Sequence, residues 1–174
     1  NTMRTKSLFL AAAISVAGLV SSMAQVYSVN VVGYVNVALQ PGFNMICNPL
    51  DAESNAVTDL MPAIDGLGVY KFDSATGNYL IATYLELLGG WSGDAFDINP
   101  GEGVFVNNPG AATTITFVGE ITEGTKTIDI PQGFSIRSSI VPQAGALVST
   151  LGFPQADGDT VYKFGAAIQD YVIF

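Results

Sequence analysis

Asp94, Asp97, Asn99 and Glu102 crowd into one short stretch, SGDAFDINPGEG. Oxygen ligands this close together suit calcium, which takes roughly six to eight of them in flexible geometry. The regular loop spacing D-x-[DN]-x-[DN]-G is absent, however, and Asn99-Pro100-Gly101 also reads as a turn leading into the strand VFV. Any ion held here would be structural. Two carboxylates of the region, Glu86 and Asp94, could instead form the acid pair of a glycoside hydrolase, provided they face each other across a cleft. Ring stacking is the third chemistry on offer. Trp91, set between glycines in GGWSG, and Tyr84 carry flat amphipathic faces that suit sugar rings. Trp91 reads equally as a plug for one end of the core, since burial strongly favours an indole.

Little else in the chain is reactive. There is no histidine, which removes histidine-based triads, metal sites and acid/base catalysis together. The single cysteine, Cys47, lies in the apolar run GFNMICNPL and reads as a small core residue with no cationic neighbour to activate it. Neither G-x-S-x-G nor S-x-x-K occurs. GEITEGTKT, at 119–127, approaches the phosphate-binding pattern G-x-x-x-x-G-K-[ST], but its lysine falls one residue late and it joins two strand patterns. It reads as a hairpin with Gly124 at a positive-φ turn position. The expectation is a non-catalytic protein with no cofactor, apart from a structural calcium ion if Asp94, Asp97, Asn99 and Glu102 converge.

The elements that would position these residues are written twice. VYKF occurs at 69–72 and again at 161–164, an offset of 92. The same offset pairs Pro62 with Pro154, Asp65-Gly66 with Asp157-Gly158, and Tyr79 with Tyr171. One residue of gap upstream, an offset of 91 pairs Val37 with Ile128, Leu39 with Ile130, and Gly42-Phe43 with Gly133-Phe134. What matches is aromatic and aliphatic residues, turn glycines and prolines, the residues that set strand faces and tight turns. Polar positions drift: Asn44 faces Ser135 and Asn48 faces Ser139. A repeat that keeps its scaffold and not its polar chemistry is expected to be a structural module. The second unit runs only three residues past Tyr171, so the chain reads as a piece of a longer frame, with Asn1-Thr2 before Met3 as upstream residues.

Strand patterns dominate throughout. Residues 27–39 place Tyr27, Val29, Val31, Val35, Val37 and Leu39 on one face at period two, with Gly33 as an expected bulge or bend. Further strands are predicted at 43–48, 68–73, 78–84, 103–107, 113–121, 126–130, 134–141, 160–164 and 170–173, with DSATG (73–77) and TEGTK (122–126) as hairpin turns. Only 54–61 and 145–151 carry helical spacing, enough for a turn or two each. The predicted fold is all-β, an antiparallel sandwich or partly open barrel built from a repeat of about 91 residues whose second copy is truncated, with one short helical turn per unit.

The N-terminus predicts export. Arg4 and Lys6 precede the uncharged run 8–20, and Ser22-Met23-Ala24 offers small residues for cleavage after Ala24. The run is too short to span a bilayer. The organisation read from the sequence is therefore a signal peptide at 1–24, a first β-rich unit at 25–130 and a second, incomplete unit at 131–174. Without the signal, Lys71, Lys126, Arg137 and Lys163 stand against fifteen carboxylates, a net charge of −11. Such a surface repels phosphate backbones and anionic lipid, so neither nucleic acid nor membrane is an expected partner.

MAQVYSVNVVGYVNVAL, GFNMICNPLD, VYKF, INPGEGVFVNN and GFSIRSSIVPQAG together resemble an uncharacterised family of exported two-repeat proteins from Verrucomicrobia-type bacteria. The resemblance implies export and a repeated all-β body, and it carries no activity. A more distant similarity links PGFNMICNPL and GEGVFVNN to bacterial surface modules of the form GWNLI-x-NP followed by G-x-GYWV. Phenylalanine replaces tryptophan at Phe43, and Phe105 stands at the second aromatic position. The expected role is a structural or adhesive component of the cell surface or envelope, outside the cell or in the periplasm. Expected partners are other surface proteins, further copies of the chain or extracellular polysaccharide, with a polysaccharide-binding module as the alternative function.

Overall fold

Period-two alternation in VGYVNVAL builds the first strand, β1 (Val32–Leu39), which turns Val35, Val37 and Leu39 inward and leaves Val32 and Tyr34 exposed. The structure is a computed structural model and describes residues 31–174. The expected signal peptide, its cleavage site after Ala24, and Tyr27 and Val29 lie outside the described residues. β1 pairs antiparallel with β7 (Thr113–Glu120) in unbroken register, from Val32 opposite Glu120 to Leu39 opposite Thr113. The bulge expected at Gly33 is therefore not formed. Gly33 stands opposite Gly119 because another piece of chain crosses the ladder there: a Cβ on Gly119 would lie 2.5 Å from the Asp51 carbonyl oxygen.

A second, five-stranded antiparallel sheet has the order β2-β6-β3-β4-β5. Its strands are β2 (Gly42–Cys47), β3 (Gly68–Asp73), β4 (Asn78–Leu85), β5 (Gly90–Gly93) and β6 (Gly103–Asn108). β3 and β4 join through the expected DSATG turn. Asp73 accepts from the Ala75 N–H at 2.9 Å and the Thr76 hydroxyl at 2.8 Å, and Gly77 takes φ +71°. These hydrogen bonds, from Ala75 first and then Thr76, hold the Asp73 carboxyl below its ordinary value. One short helix, α1 (Val57–Leu60), contributes a buried Val57.

The core lies between the inner faces of the two sheets. Leu39, Ile115 and Phe117 come from the β1–β7 pair; Ile46, Val69, Ala82, Val104 and Val106 come from the larger sheet; Leu50, Val57, Met61, Leu67 and Ile98 close the ends. Neither sheet closes on itself, so the predicted all-β fold is a sandwich and not a barrel. Three buried asparagines sit among these apolar residues, each with its amide engaged. The Asn44 side chain donates to the Gln40 carbonyl and accepts from the Gln40 N–H, both at 2.8 Å. Asn48 donates to the Ile98 carbonyl at 2.8 Å and accepts from the Leu50 N–H, and Asn108 donates to the Ala111 carbonyl at 2.9 Å.

Residues 131–174 pack outside this core. β8 (Tyr162–Gly165) and β9 (Asp170–Ile173) form a separate antiparallel hairpin. The strands predicted at 126–130 and 134–141 are absent. Within them only Arg137 forms an isolated bridge, to Glu102, and no neighbouring residue pair extends it into a ladder. Residues 145–151 give a hydrogen-bonded turn, with Thr150 and Leu151 N–H groups on the Ala146 carbonyl, where a second helical turn was predicted.

Phe117, 1% exposed, is the largest fully buried side chain. Phe117→Ala is expected to cost about 3–5 kcal/mol, the usual penalty for lost burial plus cavity, read as a lower urea midpoint at unchanged slope.

Candidate functional site

The acidic stretch organises itself around an ammonium group. Lys71 Nζ, on β3, lies 2.7 Å from Glu102 Oε2 just before β6, and donates also to the Asp97 carbonyl at 2.7 Å. The same Glu102 oxygen accepts from the Asn99 N–H at 2.9 Å and the Asn99 side chain at 3.1 Å. Burial pushes the Glu102 carboxyl up, but the hydrogen bonds from Lys71 and Asn99 outweigh it and hold the group below its ordinary value. Of the four calcium candidates, Asn99 and Glu102 are thus brought together. Asp97 contributes its main chain, and Asp94 points elsewhere, accepting from the Ile81 N–H at 2.8 Å. Among the described residues, no three carboxylate, cysteine or histidine side chains group at metal-holding distance.

That hydrogen bond to Ile81 also bears on the proposed acid pair. Asp94 is held at Ile81 in the middle of β4, whereas Glu86 begins a 3₁₀ turn (Glu86–Leu88) directly after Leu85.

Trp91 lies on strand β5, not in a loop. Gly89 takes the left-handed conformation at φ +74° and folds β5 tightly back on β4, which sets Trp91 opposite Tyr84. Their rings meet edge to face at 5.7 Å, and the half-buried indole packs against the core. The pair therefore packs at the edge strand of the five-stranded sheet.

The sequence reading missed the outer face of the five-stranded sheet, where five aromatic residues gather. Phe43, Phe105, Tyr70, Phe72 and Tyr79 come from β2, β6, β3 and β4, and their side chains alternate with those facing the core. Phe105 sits at its centre, 7% exposed, and receives Phe43 at 6.3 Å. From the other side the β8–β9 hairpin brings Phe164 to 5.2 Å and Tyr171 to 6.4 Å from the same ring. Burial and the neighbouring Tyr79 push the Tyr171 phenol above its ordinary value. The tip of the hairpin is fastened by Gln169, whose side chain accepts from the Phe43 N–H and donates to the Phe43 carbonyl, both at 2.8 Å. This two-point bond occupies part of the free edge of β2. Gly42 makes room for it, since a Cβ there would lie 2.8 Å from Gln169 Oε1.

The two hairpins are built alike. β3–β4 pairs Tyr70 with Ile81 and Phe72 with Tyr79; β8–β9 pairs Tyr162 with Ile173 and Phe164 with Tyr171, the same register displaced by 92. Phe72 and Tyr79 rings meet at 5.2 Å and 65°, Phe164 and Tyr171 at 5.3 Å and 74°. The turn glycine Gly77 corresponds to Gln169, which also takes a positive φ, of 52°. Cys47 is half-buried and free. Among the described residues no helix is long and apolar enough to cross a membrane. Comparison with protein-family models, with characterised proteins and with solved structures returns no match.

Because the Glu102 carboxyl is lowered in the fold, its contribution is present above the unfolded value of about 4.3 and disappears as pH falls through the folded value. Glu102→Gln is expected to flatten that part of the acid loss of stability. At neutral pH it should cost about 1–3 kcal/mol by leaving the Lys71 ammonium short of a partner. Urea unfolding at a series of pH values measures both.

Proposed function

We propose that the protein is a non-catalytic exported β-module, a structural or adhesive component of the cell surface or envelope, built from one strand-and-turn pattern used twice. The observation that carries this reading is the packing of one aromatic hairpin face on the other. Phe164 and Tyr171 of β8–β9 meet Phe105 on the outer face of the larger sheet, and Tyr171 lies near Tyr79 of β4. A sheet face spent on holding a neighbouring unit is what an assembly module requires, and the matched register supports an ancestral duplication. Export rests on the basic, apolar and small-residue layout of residues 1–24. The resemblance to exported Verrucomicrobia-type proteins agrees with it. Fractionation of the producing cell is expected to find the chain cleaved after Ala24 and accessible to protease on intact cells. Retention in the cytoplasm with residues 1–24 attached would overturn the proposal.

One observation favours polysaccharide binding as a second reading. Phe134, Tyr162 and Tyr171 form a chain of ring contacts at 5.8 and 6.1 Å, and they are 68, 40 and 42% exposed. Exposed rings in a row suit stacking against successive sugar units. On this reading the stacking residues are these three, in place of Trp91 and Tyr84. Binding to a broad glycan panel that weakens in Tyr162→Ala would support it; the structural reading expects no saturable binding anywhere on the panel.

A further inference from the structure

Three groups whose joint chemistry goes beyond an ion pair meet at the loop before β6. Glu102 Oε2 receives the Lys71 ammonium at 2.7 Å and the Asn99 side-chain amide at 3.1 Å. A primary amine and a carboxamide are thus neighbours, with one carboxylate oxygen bonded to both. Attack of a lysine amine on a carboxamide is slow in water, because the amine is protonated and the departing nitrogen must gain a proton. A carboxylate set between the two can carry protons from the first to the second.

Each group is held in place. Lys71 stands on β3, and its Nζ is fixed from a second side by the Asp97 carbonyl at 2.7 Å. Asn99 and Glu102 bracket one turn: the Asn99 N–H donates to Glu102 Oε2 and the Glu102 N–H donates to the Asn99 carbonyl, both at 2.9 Å. Fixing the reactants in this way turns an encounter into an intramolecular step. The Lys71 and Glu102 side chains are only 18% and 21% exposed, and Glu102 is kept as the carboxylate, the form that accepts a proton. Asn99 is exposed, which leaves its side chain room to close on Nζ and its nitrogen a way out. Pro100, the next residue, has no N–H. The common competing fate of an exposed asparagine, ring closure by the following backbone nitrogen, is therefore blocked.

We propose that Lys71 and Asn99 join in an intramolecular isopeptide bond, with Glu102 as the proton carrier. Glu102 takes a proton from the Lys71 ammonium, and the freed lone pair attacks Asn99 Cγ. That proton and a second one pass through Glu102 to Asn99 Nδ2. The Nζ–Cγ bond forms, the Cγ–Nδ2 bond breaks, and the nitrogen leaves as ammonium. Glu102 returns to carboxylate, and no oxidant, reductant or cofactor is consumed. The structure shows the three groups before reaction. The product fastens β3 covalently to the loop that leads into β6, its neighbour in the sheet. The inference goes beyond the surface role proposed above and does not depend on it.

The test is intact mass and tryptic digestion of the purified full chain, incubated folded at neutral pH and then denatured. Loss of one ammonia is expected, together with loss of cleavage after Lys71, so that Lys71 and Asn99 remain in one internally linked peptide. Cyclisation of an N-terminal glutamine also releases ammonia but leaves Lys71 cleavable, so the digest tells the two apart. Lys71→Arg keeps a cation for Glu102 and should restore cleavage at position 71. Glu102→Gln, with its fold checked by circular dichroism, should stay unlinked. Full cleavage after Lys71 in the incubated chain overturns the proposal. So does a linked Glu102→Gln variant, or loss of water in place of ammonia, which would put the bond at a carboxylate.

Discussion

Strand β6 has no free side, and the rest of the molecule is arranged to satisfy it. Its two edges pair with β2 and β3, and Val104 and Val106 point into the sandwich while Phe105 points into the outer aromatic layer. A strand buried on both faces cannot leave any main-chain group unpaired without a cost of about 1–3 kcal/mol each. That constraint explains why the chain beyond β3's reach is covered too: the Gly103 N–H is taken by Ile136 and the Gly101 carbonyl by Ser138. Gly103 lets the Ile136 side chain lie close, since a Cβ there would force that side chain to move.

The polar side chains serve the same end. Asn44 near the start of β2, Asn48 just beyond its end and Asn108 at the end of β6 are buried, and each amide supplies hydrogen bonds to nearby loop backbone. Lys71 does this by charge. Its ammonium gathers the Asp97 carbonyl and the Glu102 carboxylate, closing the loop that leads into β6. The stretch with the most suggestive chemistry in the sequence is therefore occupied in holding a strand in place.

The outer sheet face is the feature most relevant to function. It is aromatic, the β8–β9 hairpin covers part of it, and Gln169 fixes that hairpin by imitating a strand neighbour for Phe43.

Local pattern determined much of this protein. Alternation in VGYVNVAL, the DSATG turn and the doubled VYKF gave the strands, a hairpin and the likeness of the two hairpins, because side-chain period and turn chemistry act over a few residues. Trp91 packs against the core, as the size and apolarity of an indole favour. What sequence could not give was anything set by a neighbour distant in the chain. Residues 134–141 have strand composition yet form no strand, because a ladder needs successive partners and only Arg137 finds one, at Glu102. The acidic cluster looked like an ion site, because nothing local reveals that Lys71, some thirty residues earlier, reaches Glu102. The outer aromatic face was hidden for the same reason: its rings lie on four strands, and only the tertiary order β2-β6-β3-β4 brings them onto one surface.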